Sequence, residues 1–167
     1  MNTRTRKIVM ASLLAALACV ATMIVKIPSP FKGYLNLGDC IVLIAGWMLS
    51  PAYGFFAAGL GSALADILSG YAVYVPATFI IKGLMALAAL RVFGMLHNKV
   101  GNLPSRVISG ILAEIIMVLG YFLFEGCLYG FAVSAVNIPA NAVQGAAGVV
   151  VGIMLIRVFE KNRITFE

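Results

Sequence analysis

Charge is scarce in this sequence: histidine and tryptophan occur once each, and the three cysteines stand far apart. Only 11% of the 167 residues are charged while 62% are apolar, which excludes a soluble globule and a disordered chain. The single histidine, His97, leaves no partner for most proton-shuttle chemistry. HExxH, GxSxG and Cys–His arrangements are missing too, so nothing points to an enzyme. Cys19, Cys40 and Cys127 form no CxxC pair and have no metal-ligand spacing; they read as small apolar packing residues, and neither a metal nor a cofactor is expected. No P-loop is present, so the chain does not hydrolyse ATP by itself. The net charge of +6 is not interleaved with aromatics as in a nucleic-acid surface, and no nucleic-acid partner is expected. Period-two alternation is lacking, which argues against a membrane barrel. No inverted repeat stands out, as it would in an autonomous carrier.

What remains is a series of apolar runs separated by turn residues. The first spans about Ile8 to Val25 and ends at Lys26-Ile27-Pro28-Ser29-Pro30. Its basic start, Arg4-Thr5-Arg6-Lys7, and the stretch Ala16-Leu17-Ala18-Cys19 imitate a secretory or lipid-attachment signal, but the run is long enough to span a bilayer uncleaved. The second runs from Asp39 to Leu49 and stops at Ser50-Pro51; the third spans about Tyr53 to Leu68. After a turn at Ser69-Gly70 and Tyr71 to Val75, the fourth opens at Pro76 and ends near Leu96. His97 to Ser105 reads as a polar loop, Arg106 to Phe124 as the fifth segment, Glu125 to Ile138 as a glycine-containing loop, and Pro139 to Phe159 as the sixth.

The second segment is short, so segments two and three could be one helix kinked at Pro51, giving five spans. Charge decides between the two readings. Six spans put Arg4, Arg6, Lys7, Arg91, Lys99, Arg106, Arg157, Lys161 and Arg163 on one side and leave Lys26 and Lys32 on the other. Five would scatter the basic clusters. The positive-inside rule therefore predicts an all-α polytopic membrane protein, one domain over 1–167, with six transmembrane helices and both termini cytoplasmic.

In that topology the polar interruptions converge. Asp39, Asp66, Thr78, Lys82, Asn137, Asn141 and Gln144 fall near the outer face, with Tyr71, Tyr74, Tyr121 and Tyr129 at the same level and Glu125 closing segment five there. Glu114 is the exception, near mid-membrane. Ionisable groups in hydrocarbon cost several kcal/mol unless paired or wetted, so they mark functional sites. Gathered at one depth, they describe a pocket for a small polar molecule, with amides for its hydrogen-bonding edge and tyrosines for a planar ring. Simpler roles stand beside this one: Asp39 as a helix cap, Asp66 paired with Lys82, Lys82 snorkelling, Glu114 as a structural partner, the tyrosines as an interfacial belt. Segment one carries Ala11, Ala15 and Cys19 at spacing four, a small face on which another helix can dock. Gly54, Gly59, Gly61 and Ser62 form a similar face for packing within the chain.

The stretch from Leu37 to Gly54 (LGDCIVLIAGWMLSPAYG), with Gly59 to Asp66 (GLGSALAD), Ser69 to Gly83 (SGYAVYVPATFIIKG) and Asn137 to Gln144 (NIPANAVQ), resembles the substrate-specific S components of energy-coupling factor (ECF) transporters, closest to the riboflavin/pyridoxine-type branch. Ala11 and Ala15 match that family's Ala-x-x-x-Ala docking motif. The resemblance implies a vitamin-binding subunit in a prokaryotic cell membrane. Its partners would be a membrane T component and two cytoplasmic ATPases, and it would deliver its ligand inward by toppling. It implies a heteroaromatic substrate such as a pyridoxine-like compound, a hydroxymethylpyrimidine or a flavin, with pantothenate open through Lys82. From another class, a small six-helix scaffold of the cell-shape type would pair these polar groups internally and bind nothing.

Overall fold

The computed structural model describes residues 3–28 and 34–162. Lys32 and Arg163 lie outside the described residues. Among the described residues there are six α-helices: α1 Thr3–Ile24, α2 Gly38–Met48, α3 Pro51–Leu68, α4 Val75–Val100, α5 Asn102–Tyr129 and α6 Phe131–Lys161. Between α1 and α2, the two-residue strands β1 (Ile27–Pro28) and β2 (Tyr34–Leu35) pair antiparallel; a 3-10 turn, Ala72–Tyr74, leads into α4. Segments two and three are separate helices. Leu49 and Ser50 are extended, and Pro51 starts α3 where its missing N–H costs nothing.

Five helices are long and apolar enough to cross a membrane; α2, with 11 residues, is not. At 1.5 Å per residue it reaches about 16 Å, half the hydrocarbon thickness. The packing explains how so short a helix persists. It lies against α1, α3, α4 and α6, and every residue from Gly38 to Gly46 is buried. Most of its length therefore meets protein rather than lipid. Two apolar clusters join on it: Cys40, Ile41, Ile44 and Ala45 pack toward Leu14 and Ala18 of α1, and Val42 and Leu43 toward Met85, Ala113 and Met117 of α4 and α5.

Two expected loops are helical. His97–Ser105 continues α4 and starts α5, broken only at Gly101 (φ +85°), and Glu125–Ile138 is helical except around Gly130 (φ +94°). In each case one glycine in the left-handed region reverses the chain, so polar composition alone misplaced the boundary. Pro139 accordingly sits inside α6 rather than at its start, more than two turns past the break at Gly130.

Large apolar side chains face outward along the long helices: Leu13, Leu17 and Val20 on α1, and Ile111, Ile115 and Leu119 on α5. This exterior suits hydrocarbon, not water. Small residues set the helix separations. A Cβ on Gly46 would lie 2.5 Å from the Ala86 carbonyl oxygen, and one on Gly61 3.0 Å from the Ala15 Cα. At one end of the bundle Arg106 of α5 makes a two-pronged ion pair with Glu160 of α6, at 3.0 and 2.5 Å. Its guanidinium lies 5.2 Å from the Phe93 ring centroid and 5.9 Å from that of Trp47, whose indole N–H donates to Ser109 Oγ at 3.0 Å. Lys7 of α1 lines a cleft at this same end with Trp47 and Phe93, so the start of α1 and the end of α6 lie together.

Gly46→Val is expected to lower the unfolding temperature in detergent, by the equivalent of about 1–3 kcal/mol, because backbone blocks the added carbons. Gly94→Ala, whose Cβ would meet nothing within 4 Å, is expected to leave it unchanged or slightly raised.

Candidate functional site

The other end of the bundle holds the polar groups. Asp39 sits in the first turn of α2 with no exposure, and Lys82 of α4 forms a buried ion pair with its Oδ1. Gln144 of α6 donates through Nε2 to Asp39 Oδ2 at 2.6 Å, and its Oε1 accepts the Asn36 backbone N–H at 2.9 Å. Asn36 Oδ1 in turn accepts the Gly38 N–H at 2.9 Å. One continuous chain of hydrogen bonds, charge-assisted at Asp39, thus ties α4, α2, α6 and the strand–helix linker.

Two further carboxylates flank it. Asp66, in the last turn of α3, accepts the Tyr34 hydroxyl at 2.7 Å through Oδ1, while its buried Oδ2 has no hydrogen-bond partner. Burial, with Asp66 alongside, holds the Tyr34 hydroxyl pKa far above its ordinary value, so it stays a donor. Glu125 of α5 accepts the Tyr74 hydroxyl at 3.3 Å and Asn137 Nδ2 at 2.9 Å. Between them the Thr78 and Tyr121 hydroxyls meet at 3.0 Å. At the rim, Lys26 donates to Ser69 Oγ.

These groups surround one cavity. Asp66, Tyr71, Tyr74 and Thr78 line it from α3 and the start of α4; Tyr121 and Glu125 from α5; Asn137, Asn141 and Gln144 from α6; Tyr34 and Asn36 from the linker. Its free volume is about 40 Å³, room for a water or two and far below the several hundred Å³ of typical ligand pockets. An organic guest must therefore push side chains aside.

The sequence-predicted residues fall into two tiers. Asp66, Tyr71, Tyr74, Thr78, Tyr121, Asn137, Asn141 and Gln144 reach the wall. Asp39 and Lys82 do not: they form the layer that holds Gln144 in place. Neither the Asp66–Lys82 pairing nor a snorkelling Lys82 is present, since Asp39 takes the lysine. Glu114 lies apart. It is 6% exposed, both its carboxyl oxygens are without hydrogen-bond partners, and it is wedged between α5 and α6 against Gly145 and Gly148, beside an apolar lipid-facing groove. Tyr129 borders a separate cleft with Gly70 and Val73. Sequence reasoning left Tyr34, Asn36 and Glu125 out of the site. Glu125 had the right depth. Asn36 had a faint local signal, an Asn two residues before a helix-opening Gly-Asp pair. Tyr34 had none.

The small face of α1 also divides. Ala11 and Ala15 line a shallow surface groove with Phe56 and Leu60 of α3. Ala15 is already used within the chain, its backbone lying against Gly61. Cys19 is outside that groove; its thiol lies 3.9 Å from Met23 Sδ, one turn on.

The family described as ECF-type riboflavin transporter, S component, matches residues 2–161. The chain belongs to that family. This S component is 34% identical over 134 residues to a Pyrococcus woesei protein described as "Uncharacterized protein in gap 3'region", covering 80% of this chain and 87% of that one. It shares its fold with the S component of a bacterial ECF transporter (TM-score 0.68, 22% identity, covering 95% of this chain and 97% of that one). A second solved structure, the S component for biotin from an ECF-type ABC transporter, aligns at TM-score 0.67 and 13% identity over 94% and 92% of the two chains. The S component is thus a polytopic helical membrane protein of a transporter substrate-binding family, not of an enzyme family.

In this S component Asp39→Leu or Lys82→Met alone is expected to cost about 3–5 kcal/mol by leaving a buried charge unpaired, and the two together much less than the singles added. Chemical unfolding in detergent reads the four-way cycle; strict additivity would mean the pair is not coupled.

Proposed function

We propose that this S component captures a small, water-soluble heteroaromatic vitamin or precursor from outside a prokaryotic plasma membrane and delivers it inward with a membrane T component and two cytoplasmic ATPases. The observation that carries the reading is the cavity at the polar end, walled by amides, two carboxylates and four tyrosines and floored by a buried ion pair. It lies at the end opposite Lys7, Lys99, Arg106 and Lys161. The positive-inside rule makes that basic end cytoplasmic, so the cavity faces out and both termini face in. Asp66, Tyr71, Tyr74, Thr78, Tyr121, Asn137, Asn141 and Gln144, with Tyr34, Asn36 and Glu125, are the contact residues in this reading; Asp39 and Lys82 set the floor.

A membrane scaffold would need its polar groups fully paired with one another. Here the polar groups leave a cavity with free volume among them rather than closing on one another. That favours capture of a solute. The α1–α3 groove at Ala11 is the surface proposed for the T component.

A thermal-shift screen of soluble vitamins on the purified protein is expected to return one strong stabiliser, worth about 2.7 kcal/mol at a hundred times its Kd. Asn141→Ala should weaken that ligand without lowering the unfolding temperature of the free protein. A screen in which no vitamin stabilises would reject the proposal. Ala11→Trp should abolish uptake in cells that also make the partner module while leaving affinity intact; affinity and uptake falling together would move docking elsewhere.

A further inference from the structure

Glu114 does not line the polar-end cavity. At 1.5 Å per residue it stands about 18 Å from the start of α5 and about 22 Å from its end, deep in the hydrocarbon. It is buried, and neither carboxyl oxygen has a hydrogen-bond partner among the described residues. Lys82 is in electrostatic reach but gives its ammonium to Asp39. A buried acceptor left unmatched costs free energy that a suitable donor recovers.

Space for such a donor adjoins it. Glu114 lines a groove of about 530 Å³ between α5 and α6, within the roughly 300–1,000 Å³ of ligand pockets. Every other residue lining the groove is apolar or glycine. Gly145 borders both the groove and the carboxyl: a Cβ there would lie 3.0 Å from Glu114 Oε2. Its lack of a side chain leaves that flank of the carboxyl uncovered.

Two features decide what fits. The groove faces lipid, so its occupant arrives from the bilayer. The carboxyl is recessed, whereas Ile111, Ile115 and Leu119 at the mouth are 49%, 46% and 53% exposed. A neighbouring helix would rest on those side chains and stop short of the carboxyl; a slim chain with a terminal donor passes between them. We propose that the α5–α6 groove binds a lipid-soluble molecule carrying a hydroxyl or amino group, which donates to Glu114 while the apolar body lies along Ile115, Ala146 and Val150. A carboxyl accepts a hydrogen bond whether or not it holds its proton, so this match does not depend on the charge of Glu114. Acceptor-only and purely apolar molecules leave the acceptor unmatched and gain only the contacts that lipid tails already make. The site is separate from the polar-end cavity and stands whether or not that cavity takes a vitamin.

The test uses the purified full chain in lipid nanodiscs loaded with 1-dodecanol, dodecylamine, methyl dodecanoate or dodecane at equal content. The alcohol and the amine are expected to raise the unfolding temperature above the values with the ester and the alkane. Lipid-soluble dicyclohexylcarbodiimide should modify Glu114 in the unloaded nanodisc, read by peptide mass spectrometry, and 1-dodecanol should slow that modification several-fold. Glu114→Leu should fold and lose the preference for donors. Ala146→Phe, which fills the groove and keeps the carboxyl, should lose the stabilisation by alcohol and amine. Equal stabilisation by all four probes, no modification of Glu114, modification that the alcohol does not slow, or a donor preference surviving in both variants overturns the proposal. So does a wild-type chain that is dimeric by light scattering and monomeric as Ala146→Phe, since a second copy would then occupy the groove.

Discussion

Lys82, Asp39 and Gln144 form the contact on which the rest of the molecule depends. An ion pair at this depth loses hydration worth several kcal/mol per charge, and only close geometry with further hydrogen bonds compensates. Here both carboxylate oxygens are engaged, one by the ammonium and the other by the Gln144 amide. The three side chains come from α4, α2 and α6, so satisfying one charge fixes the mutual position of three helices. It also seats Gln144 with its Oε1 directed at the Asn36 N–H, which anchors the linker over the cavity.

Around that contact the protein separates two solvents. Its outer surface is apolar, because lipid surrounds it, and its inner packing relies on glycines and alanines that bring backbones together. With no hydrophobic force to press helices together in hydrocarbon, close approach and a few polar contacts do so. The two ends differ in chemistry. The basic end is stapled by Arg106 between Trp47 and Phe93 and pinned to Glu160. The polar end concentrates carboxylates, amides and tyrosine hydroxyls around a narrow space.

The helix count and the convergence of polar groups were legible because hydropathy and the asymmetry of basic residues are global signals, robust to errors in any one segment. Boundaries were not. His97–Ser105 and Glu125–Ile138 look like loops by composition, yet helices at a membrane surface tolerate polar residues, and Gly101 and Gly130 alone make the reversals. Depth was legible for Lys82 and Asp39, but their partner choice was not, since which carboxylate takes a lysine depends on helix rotation. Tyr34 and Asn36 were invisible because short irregular segments have no periodicity, and only pairing with Asp66 and Gln144 gives them a place.

The shortness of α2 has a consequence for how the chain is made. An 11-residue segment with an aspartate in its first turn is a poor candidate for lateral release into lipid during synthesis. Its charge partner lies 43 residues later and its amide partner 105 residues later. The nascent α2 must therefore wait, shielded by the translocation machinery or held at the headgroup level, until α4 and then α6 emerge to receive it. Biogenesis of this fold ends with the seating of an early helix by late ones, which makes the last third of the polypeptide the part that completes assembly.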